Sequence, residues 1–173
     1  MKINKKTKIA VVGLGYVGLP LFIEMSKKFD VIGYDKNKKK IFDLSKLKDE
    51  TGELTKSQIQ YLKNTKLTHN LNDLKKTEIF IIAVPTPIKK NNKPNLSIIK
   101  DATKNIAKVL SKKNIIIYES TVYPGVTEKF CVPILEKFSK LKWKKDFFIG
   151  YTPERINPGD KEHTFKKIIK VVS

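Results

Sequence analysis

Gly13-Leu14-Gly15-Tyr16-Val17-Gly18 places three glycines in the spacing G-x-G-x-x-G. The stretch follows an apolar run at Lys8–Val12, which predicts a buried strand, and it leads into a helical pattern from Tyr16 to Lys28. In this context the first glycine permits a tight turn and the second lets the backbone approach a pyrophosphate. The third allows the helix to pack closely on the strand. The stretch therefore predicts a phosphate-binding turn between a strand and a helix.

A carboxylate stands where this motif requires one. Asp35 directly follows the next predicted strand, Phe29–Tyr34, about twenty residues after the first glycine. There it would accept hydrogen bonds from the adenosine ribose and oppose a 2′-phosphate, which favours NAD over NADP. Lys36 and Lys38–Lys40 follow directly, and one of these lysines could reach the adenosine side, so NADP stays open. Flavin and S-adenosylmethionine sites share part of the same pattern.

Apolar runs and helical patterns alternate over the whole chain, which predicts βαβ units. Further strands are expected around Leu67 and at Ile79–Val84, Ile115–Tyr118, Phe147–Tyr151 and Ile168–Val172. Further helices are expected at Lys36–Leu47, Ser57–Leu62, Ser97–Leu110, with Ser97 as N-cap, and Val126–Phe138. We predict an α/β, Rossmann-like, doubly wound and mainly parallel sheet that forms a single domain over residues 1–173.

The net charge of +19 raises the question of nucleic-acid binding. All but one of the 36 basic residues are lysines, however, and they are spread along the chain without an arginine cluster or interleaved aromatic side chains. We therefore expect small anionic ligands rather than nucleic acid. No apolar run is long enough for a bilayer, and His69 and His163 are too isolated for a metal site. With Cys131 as the single cysteine, we expect a cytoplasmic protein.

Three polar segments directly follow predicted strands: Val84–Pro87, Glu119–Gly125 and Tyr151–Gly159. The carboxyl ends of the strands face the ligand crevice in a doubly wound sheet, so hydroxyls and a carboxylate there could move protons or position water. Taken separately, each segment is equally consistent with turns rich in proline and glycine. Glu154 in particular could cap a helix or pair with Lys161.

Together with the glycine motif, these segments resemble the UDP-glucose/GDP-mannose dehydrogenase family over essentially the whole chain. The versions Glu119–Gly125 and Thr152–Lys161 are most similar to the branch that acts on UDP-N-acetylhexosamines for surface polysaccharides in bacteria, including capsule and Vi-antigen-type pathways. Membership would imply an NAD-dependent, two-step oxidation of the sugar C6 alcohol to a carboxylate. A cysteine traps the aldehyde as a thiohemiacetal, a second hydride leaves, and water hydrolyses the resulting thioester.

The resemblance also implies roles for individual residues. Thr121 and Glu154 would position water and move protons, and Arg155, Ile156 and Asn157 would border the UDP-sugar. NAD would be contacted by Gly13, Gly15, Tyr16, Val17, Gly18, Asp35, Lys40, Val84, Pro85, Thr86, Ser120 and Thr121.

The chain also departs from the family pattern. The nucleophilic cysteine, a lysine, the middle helix and the C-terminal UDP-binding domain of the family are not found in it, so we expect a fragment that is inactive alone. Cys131 lies in a helical, apolar context typical of a small buried hydrophobe and is not a replacement nucleophile. At full length we expect a homodimer or larger assembly. A stand-alone NAD-binding regulatory module and a fragment of a UDP-glucose 6-dehydrogenase remain alternatives.

Overall fold

The structure is a computed structural model that describes residues 3–153 and 172–173. Strands and helices alternate along these residues. The strands are β1 (Lys8–Val12), β2 (Asp30–Tyr34), β3 (Lys66–Thr68), β4 (Ile79–Ile82), β5 (Ile115–Tyr118) and β6 (Phe148–Tyr151). The α-helices are α1 (Gly18–Ser26), α2 (Lys38–Ser45), α3 (Lys56–Tyr61), α4 (Ser97–Ala107) and α5 (Val132–Ser139). Short 3₁₀ turns span Leu62–Asn64 and Leu71–Leu74, and a π-helical turn spans Val126–Cys131.

The strands form one sheet in the order β3-β2-β1-β4-β5-β6. Every neighbouring pair is parallel. The chain builds outward from β1 to β3 and then returns to place β4 on the other side of β1. The strand order therefore reverses between β1 and β4, and a crevice opens at such a reversal in doubly wound sheets. The predicted fold class is confirmed.

Two apolar layers cover the two faces of the sheet, because successive side chains of a strand point to opposite faces. In β1, Ile9 and Val11 join the layer that contains Leu19 and Phe22 of α1. Ala10 and Val12 join the other layer, which is built mainly from α4 and α5. The central strand β4 is buried along its whole length, as its unbroken apolar sequence predicts.

Some predicted boundaries were wrong. The strand expected to reach Val84 ends at Ile82, and the chain turns away at Ala83 and Val84 to line a cleft. Ser97 is the first residue of α4 rather than its N-cap. Its backbone N–H donates to the side-chain oxygen of Asn95 at 3.0 Å. The helix expected from Val126 begins with a π-helical turn. The strand predicted at Ile168–Val172 lies, except for its last residue, outside the described residues.

Candidate functional site

A cleft of about 560 Å³ crosses the carboxyl ends of the central strands. Its walls come from the loops that follow β1, β2, β4 and β5, together with one face of α4. The sheet order places the ends of β2 and β5 on opposite sides of the β1–β4 junction. The cleft is therefore elongated across the sheet, with the glycine motif near its middle.

The three glycines of the motif have different surroundings. Gly13 has φ of +94°, and a Cβ there would lie 2.9 Å from both Ala83 O and Val84 Cγ1. A Cβ on Gly18 would lie 1.8 Å from Gly13 O, so only glycine allows α1 to begin this close to the loop. A Cβ on Gly15 would meet nothing within 4 Å. Since Gly15 also lines the cleft, the space beside it is open to a ligand.

The start of α1 offers backbone donors to that space. The first hydrogen bonds of the helix run from Leu19 N to Gly15 O at 3.0 Å and from Leu21 N to Val17 O at 3.3 Å. The N–H groups of Gly15, Tyr16 and Val17 therefore precede the helical ladder, and all three residues line the cleft. Free N–H groups and the helix dipole together favour an anion such as a pyrophosphate.

Asp35 connects the glycine motif to the loop after β2. Its Oδ2 accepts a hydrogen bond from Leu14 N at 3.0 Å, and its Oδ1 accepts one from Asn37 N at 2.9 Å. Lys40 Nζ lies 3.5 Å from Oδ2, and the Asp35 side chain is 13% exposed. A carboxylate oxygen can accept more than one hydrogen bond, so Asp35 can hold the loop and still accept from a ribose hydroxyl.

Two side-chain hydroxyls fasten the loops after β4 and β5 to each other. Ser120 Oγ donates to Val84 O, and Thr86 Oγ1 donates to Thr121 O, each at 2.6 Å. Val84, Thr86, Ser120 and Thr121 all line the cleft. The sequence predicted these residues as cofactor contacts, and the structure adds that two of the hydroxyls donate to backbone carbonyls of the neighbouring loop. They therefore also fix the shape of the β5 end of the cleft.

The structure brings most of the predicted site residues together. Of the predicted cofactor contacts, Gly18 alone does not line the cleft, because it is packed behind Gly13. Glu154, Arg155, Ile156 and Asn157 lie outside the described residues. The residues that line the cleft and were predicted are Gly13, Gly15, Tyr16, Val17, Asp35, Lys40, Val84, Pro85, Thr86, Ser120 and Thr121.

Sequence reasoning missed a whole wall of the cleft. Ile98, Asp101, Ala102 and Asn105 line it from α4. Their spacing places them on one face of the helix, which is the signal that could have found them. Buried Glu119 also lines the cleft at the end of β5, although the sequence had singled out only the hydroxyls beside it.

Cys131 does not line the cleft. The Cys131 side chain is fully buried, and this burial raises the pKa of its thiol, so the reactive thiolate is disfavoured at neutral pH. This agrees with its interpretation as a small buried hydrophobe.

Within residues 3–153 and 172–173, no group of three metal-ligating side chains is close enough to hold an ion. No helix in the same part of the chain is long and apolar enough to cross a bilayer.

Comparison with known proteins gives consistent matches. The model of the UDP-glucose/GDP-mannose dehydrogenase family, NAD binding domain, matches residues 7–172. A UDP-N-acetyl-D-glucosamine 6-dehydrogenase of Pseudomonas aeruginosa is 52% identical over 169 residues, which are 98% of this chain and 40% of that protein. Protein CapL of Staphylococcus aureus is 55% identical over 167 residues, covering 95% of this chain and 39% of CapL.

Solved structures agree with the sequence relatives. A UDP-D-ManNAc dehydrogenase of Pyrococcus horikoshii superposes with a TM-score of 0.77 at 32% identity, covering 88% of this chain and 37% of that one. A ternary complex of the GDP-mannose dehydrogenase of Pseudomonas aeruginosa gives a TM-score of 0.78 at 26% identity, over 87% of this chain and 36% of that one. The chain spans about 40% of the length of the curated relatives UDP-N-acetyl-D-glucosamine 6-dehydrogenase and CapL.

The different surroundings of Gly15 and Gly18 give a paired prediction. Gly15→Ala should leave the melting temperature nearly unchanged, because its Cβ meets no atom, but it should weaken NAD binding roughly tenfold or more by occupying space at the pyrophosphate. Gly18→Ala should lower the melting temperature by several degrees, because its Cβ overlaps Gly13 O. Thermal melts and calorimetric NAD titrations of both variants measure this. If Gly15→Ala and the parent chain bound NAD with equal affinity, the pyrophosphate would not lie beside Gly15.

Proposed function

The chain belongs to the UDP-glucose/GDP-mannose dehydrogenase family as its NAD-binding domain, and we propose that it serves an enzyme that oxidises the C6 alcohol of a UDP-N-acetylhexosamine to the carboxylate. The predicted family and cofactor are both confirmed by the family match over residues 7–172. The observation that carries the proposal is the cleft itself, in which an open glycine loop, a helix start and Asp35 are aligned.

Sequence similarity to named relatives supports the substrate class. The relatives at 52% and 44% identity, from Pseudomonas aeruginosa and Salmonella typhi, are UDP-N-acetyl-D-glucosamine 6-dehydrogenases. UDP-N-acetyl-D-mannosamine dehydrogenases of Pyrococcus horikoshii and Campylobacter jejuni match at 35% and 39%. The higher identity to the glucosamine dehydrogenases favours UDP-N-acetyl-D-glucosamine as the substrate, with UDP-N-acetylgalactosamine as the alternative, consumed in the synthesis of a surface polysaccharide.

NAD supplies a hydride acceptor, and the residues of the chain bind and orient it. Asp35 at the end of β2 would take the adenosine ribose, which places the pyrophosphate beside Gly15–Val17 and the nicotinamide towards the β5 end. There the hydrogen bonds of Ser120 and Thr86 keep the two loops at a fixed separation. A nicotinamide bound there would be held in one position, in which it could accept a hydride from the sugar.

Thr121 lies at the end of the cleft where we expect the substrate to react. It is the third residue after β5, it lines the cleft, and its carbonyl accepts a hydrogen bond from Thr86. We assign its hydroxyl the positioning of water, and we assign Glu154 the acceptance of a proton from that water during thioester hydrolysis. Arg155, Ile156 and Asn157, which follow directly in sequence, would border the sugar nucleotide.

The proposed cellular location of the enzyme follows from its reactants. A nucleotide sugar and NAD are cytoplasmic metabolites, so the proposed location is the cytoplasm, where a single free cysteine stays reduced. The excess of lysines would attract a doubly charged UDP group. We propose that a protein of the length of the relatives assembles as a homodimer or larger homo-oligomer.

The Asp35 environment predicts a preference for NAD over NADP. The chain should bind NAD roughly tenfold or more tightly, since a 2′-phosphate beside the carboxylate costs more than Lys40 at 3.5 Å recovers. Asp35→Asn should narrow this ratio, whereas Asp30→Asn, at the opposite end of β2, should leave it unchanged. Calorimetric titrations with both cofactors measure it. Equal or tighter binding of NADP by the parent chain would show that the lysines override Asp35.

The assignment of Glu154 predicts a trapped intermediate in a chain of the relatives' full length. Glu154→Gln should keep the fold and NAD affinity but slow hydrolysis by about a hundredfold, because the attacking water loses its proton acceptor. A covalent enzyme–sugar adduct should then accumulate and appear in intact-mass spectra after mixing with substrate and NAD.

Glu50→Gln is a matched control for that experiment, since Glu50 is exposed and pairs with Lys39 on the surface. It should turn over normally without an adduct. If Glu154→Gln lowers the melting temperature strongly, or turns over at the parent rate without an adduct, Glu154 has a structural role instead.

A further inference from the structure

One face of α4 forms a wall of the cleft that the proposed chemistry leaves unassigned. The wall consists of Ile98, Asp101, Ala102 and Asn105. Ile98 and Ala102 are half-buried and apolar, Asn105 is half-buried, and Asp101 is exposed. Among the residues that the structure describes, the side chains of Asp101 and Asn105 have neither a hydrogen-bond nor an ion-pair partner, although the two are one helical turn apart.

The packing of α4 shows which half of a dinucleotide would meet this wall. Ile99 and Ile106 of α4 belong to the same buried cluster as Tyr34, the last residue of β2. Tyr34 lines the cleft directly before Asp35. The helix therefore packs on the same face of the sheet as Tyr34, the residue directly before Asp35. With the adenosine ribose at Asp35, the attached base would reach the space between the β2 loop and α4, both of which line the cleft.

The side chains of the wall suit a purine in both shape and polarity. Ile98 and Ala102 offer an apolar surface to the flat face of a ring, and Asp101 and Asn105 offer polar atoms to its edge. A carboxylate can only accept hydrogen bonds, so Asp101 suits the exocyclic amino group of adenine and opposes the carbonyl oxygen of an oxo-purine. The Asn105 amide can donate to a ring nitrogen of the same edge.

We propose that Asp101 and Asn105 recognise the hydrogen-bonding edge of the adenine base, so that this domain selects an adenine dinucleotide over its oxo-purine counterpart. The inference rests on the proposed placement of NAD with its adenosine ribose at Asp35. It assigns to α4 the selection of the base, while Asp35 selects the ribose.

The test compares NAD with nicotinamide hypoxanthine dinucleotide, which differs in carrying a carbonyl oxygen in place of the amino group. The parent chain should bind NAD about tenfold more tightly, the effect of roughly one hydrogen bond to a charged group. In Asp101→Asn the new amide can donate to the carbonyl oxygen, so the ratio of the two dissociation constants should shift towards hypoxanthine by about tenfold. The ratio is the readout because it cancels the general effect of removing a negative charge near the phosphates.

Two further variants complete the experiment. Asn105→Leu, which keeps the volume of the side chain, should weaken the binding of both dinucleotides by several-fold, because an amide can donate to the adenine ring nitrogen or accept from the protonated ring nitrogen of hypoxanthine. Lys100→Ala changes an exposed residue of the same helix that does not line the cleft, and it should leave the ratio unchanged. Thermal melts should show that all three variants are folded.

Each remaining outcome overturns a defined statement. If NAD binds to the parent chain but Asp101→Asn leaves the ratio of the two dissociation constants unchanged, Asp101 does not recognise the base and the cofactor assignment still stands. If neither dinucleotide binds, the placement of NAD in the cleft and the role of α4 both fail.

Discussion

The contact between Gly13 and Gly18 is the constraint on which the site depends. The Gly13 carbonyl occupies the space that a Cβ on Gly18 would need, at 1.8 Å, so the loop and the first turn of α1 can approach this closely only without side chains. That approach sets where α1 begins, directly after Gly15, Tyr16 and Val17, which line the cleft. A larger residue would move the helix start, and with it the backbone donors that we propose for the pyrophosphate.

The rest of the cleft is held in register with this turn by hydrogen bonds between loops that are distant in sequence. Asp35 binds Leu14 N at 3.0 Å, which fixes the β2 end to the glycine loop. Ser120 and Thr86 fasten the β4 and β5 loops to each other at 2.6 Å. Both ends of an elongated ligand would thus meet preformed walls, which lowers the ordering cost of binding.

Local sequence sufficed for the parts of the structure that local rules govern. Gly13–Gly18 predicted the turn, Asp35 was predicted to follow β2 at the ligand crevice, and the unbroken apolar run at Ile79–Ile82 predicted a strand buried on both faces. The wall from α4 could not be predicted, because only the packed fold shows which face of that helix borders the cleft. The wrong N-cap at Ser97 has a different cause. Ser97 is already the first residue of α4, with its own N–H bound by the side chain of Asn95, and sequence patterns locate helix ends only to within one or two residues.

We place NAD across the cleft with its pyrophosphate at the start of α1. Titration of the ¹⁵N-labelled chain with NAD, followed by amide NMR, measures which residues the cofactor reaches. The largest shift changes should occur at the amides of Gly15, Tyr16 and Val17, with further changes at Asn37 and along the cleft face of α4. Saturable binding that leaves those three amides unshifted, with changes confined to other surfaces, would contradict this placement.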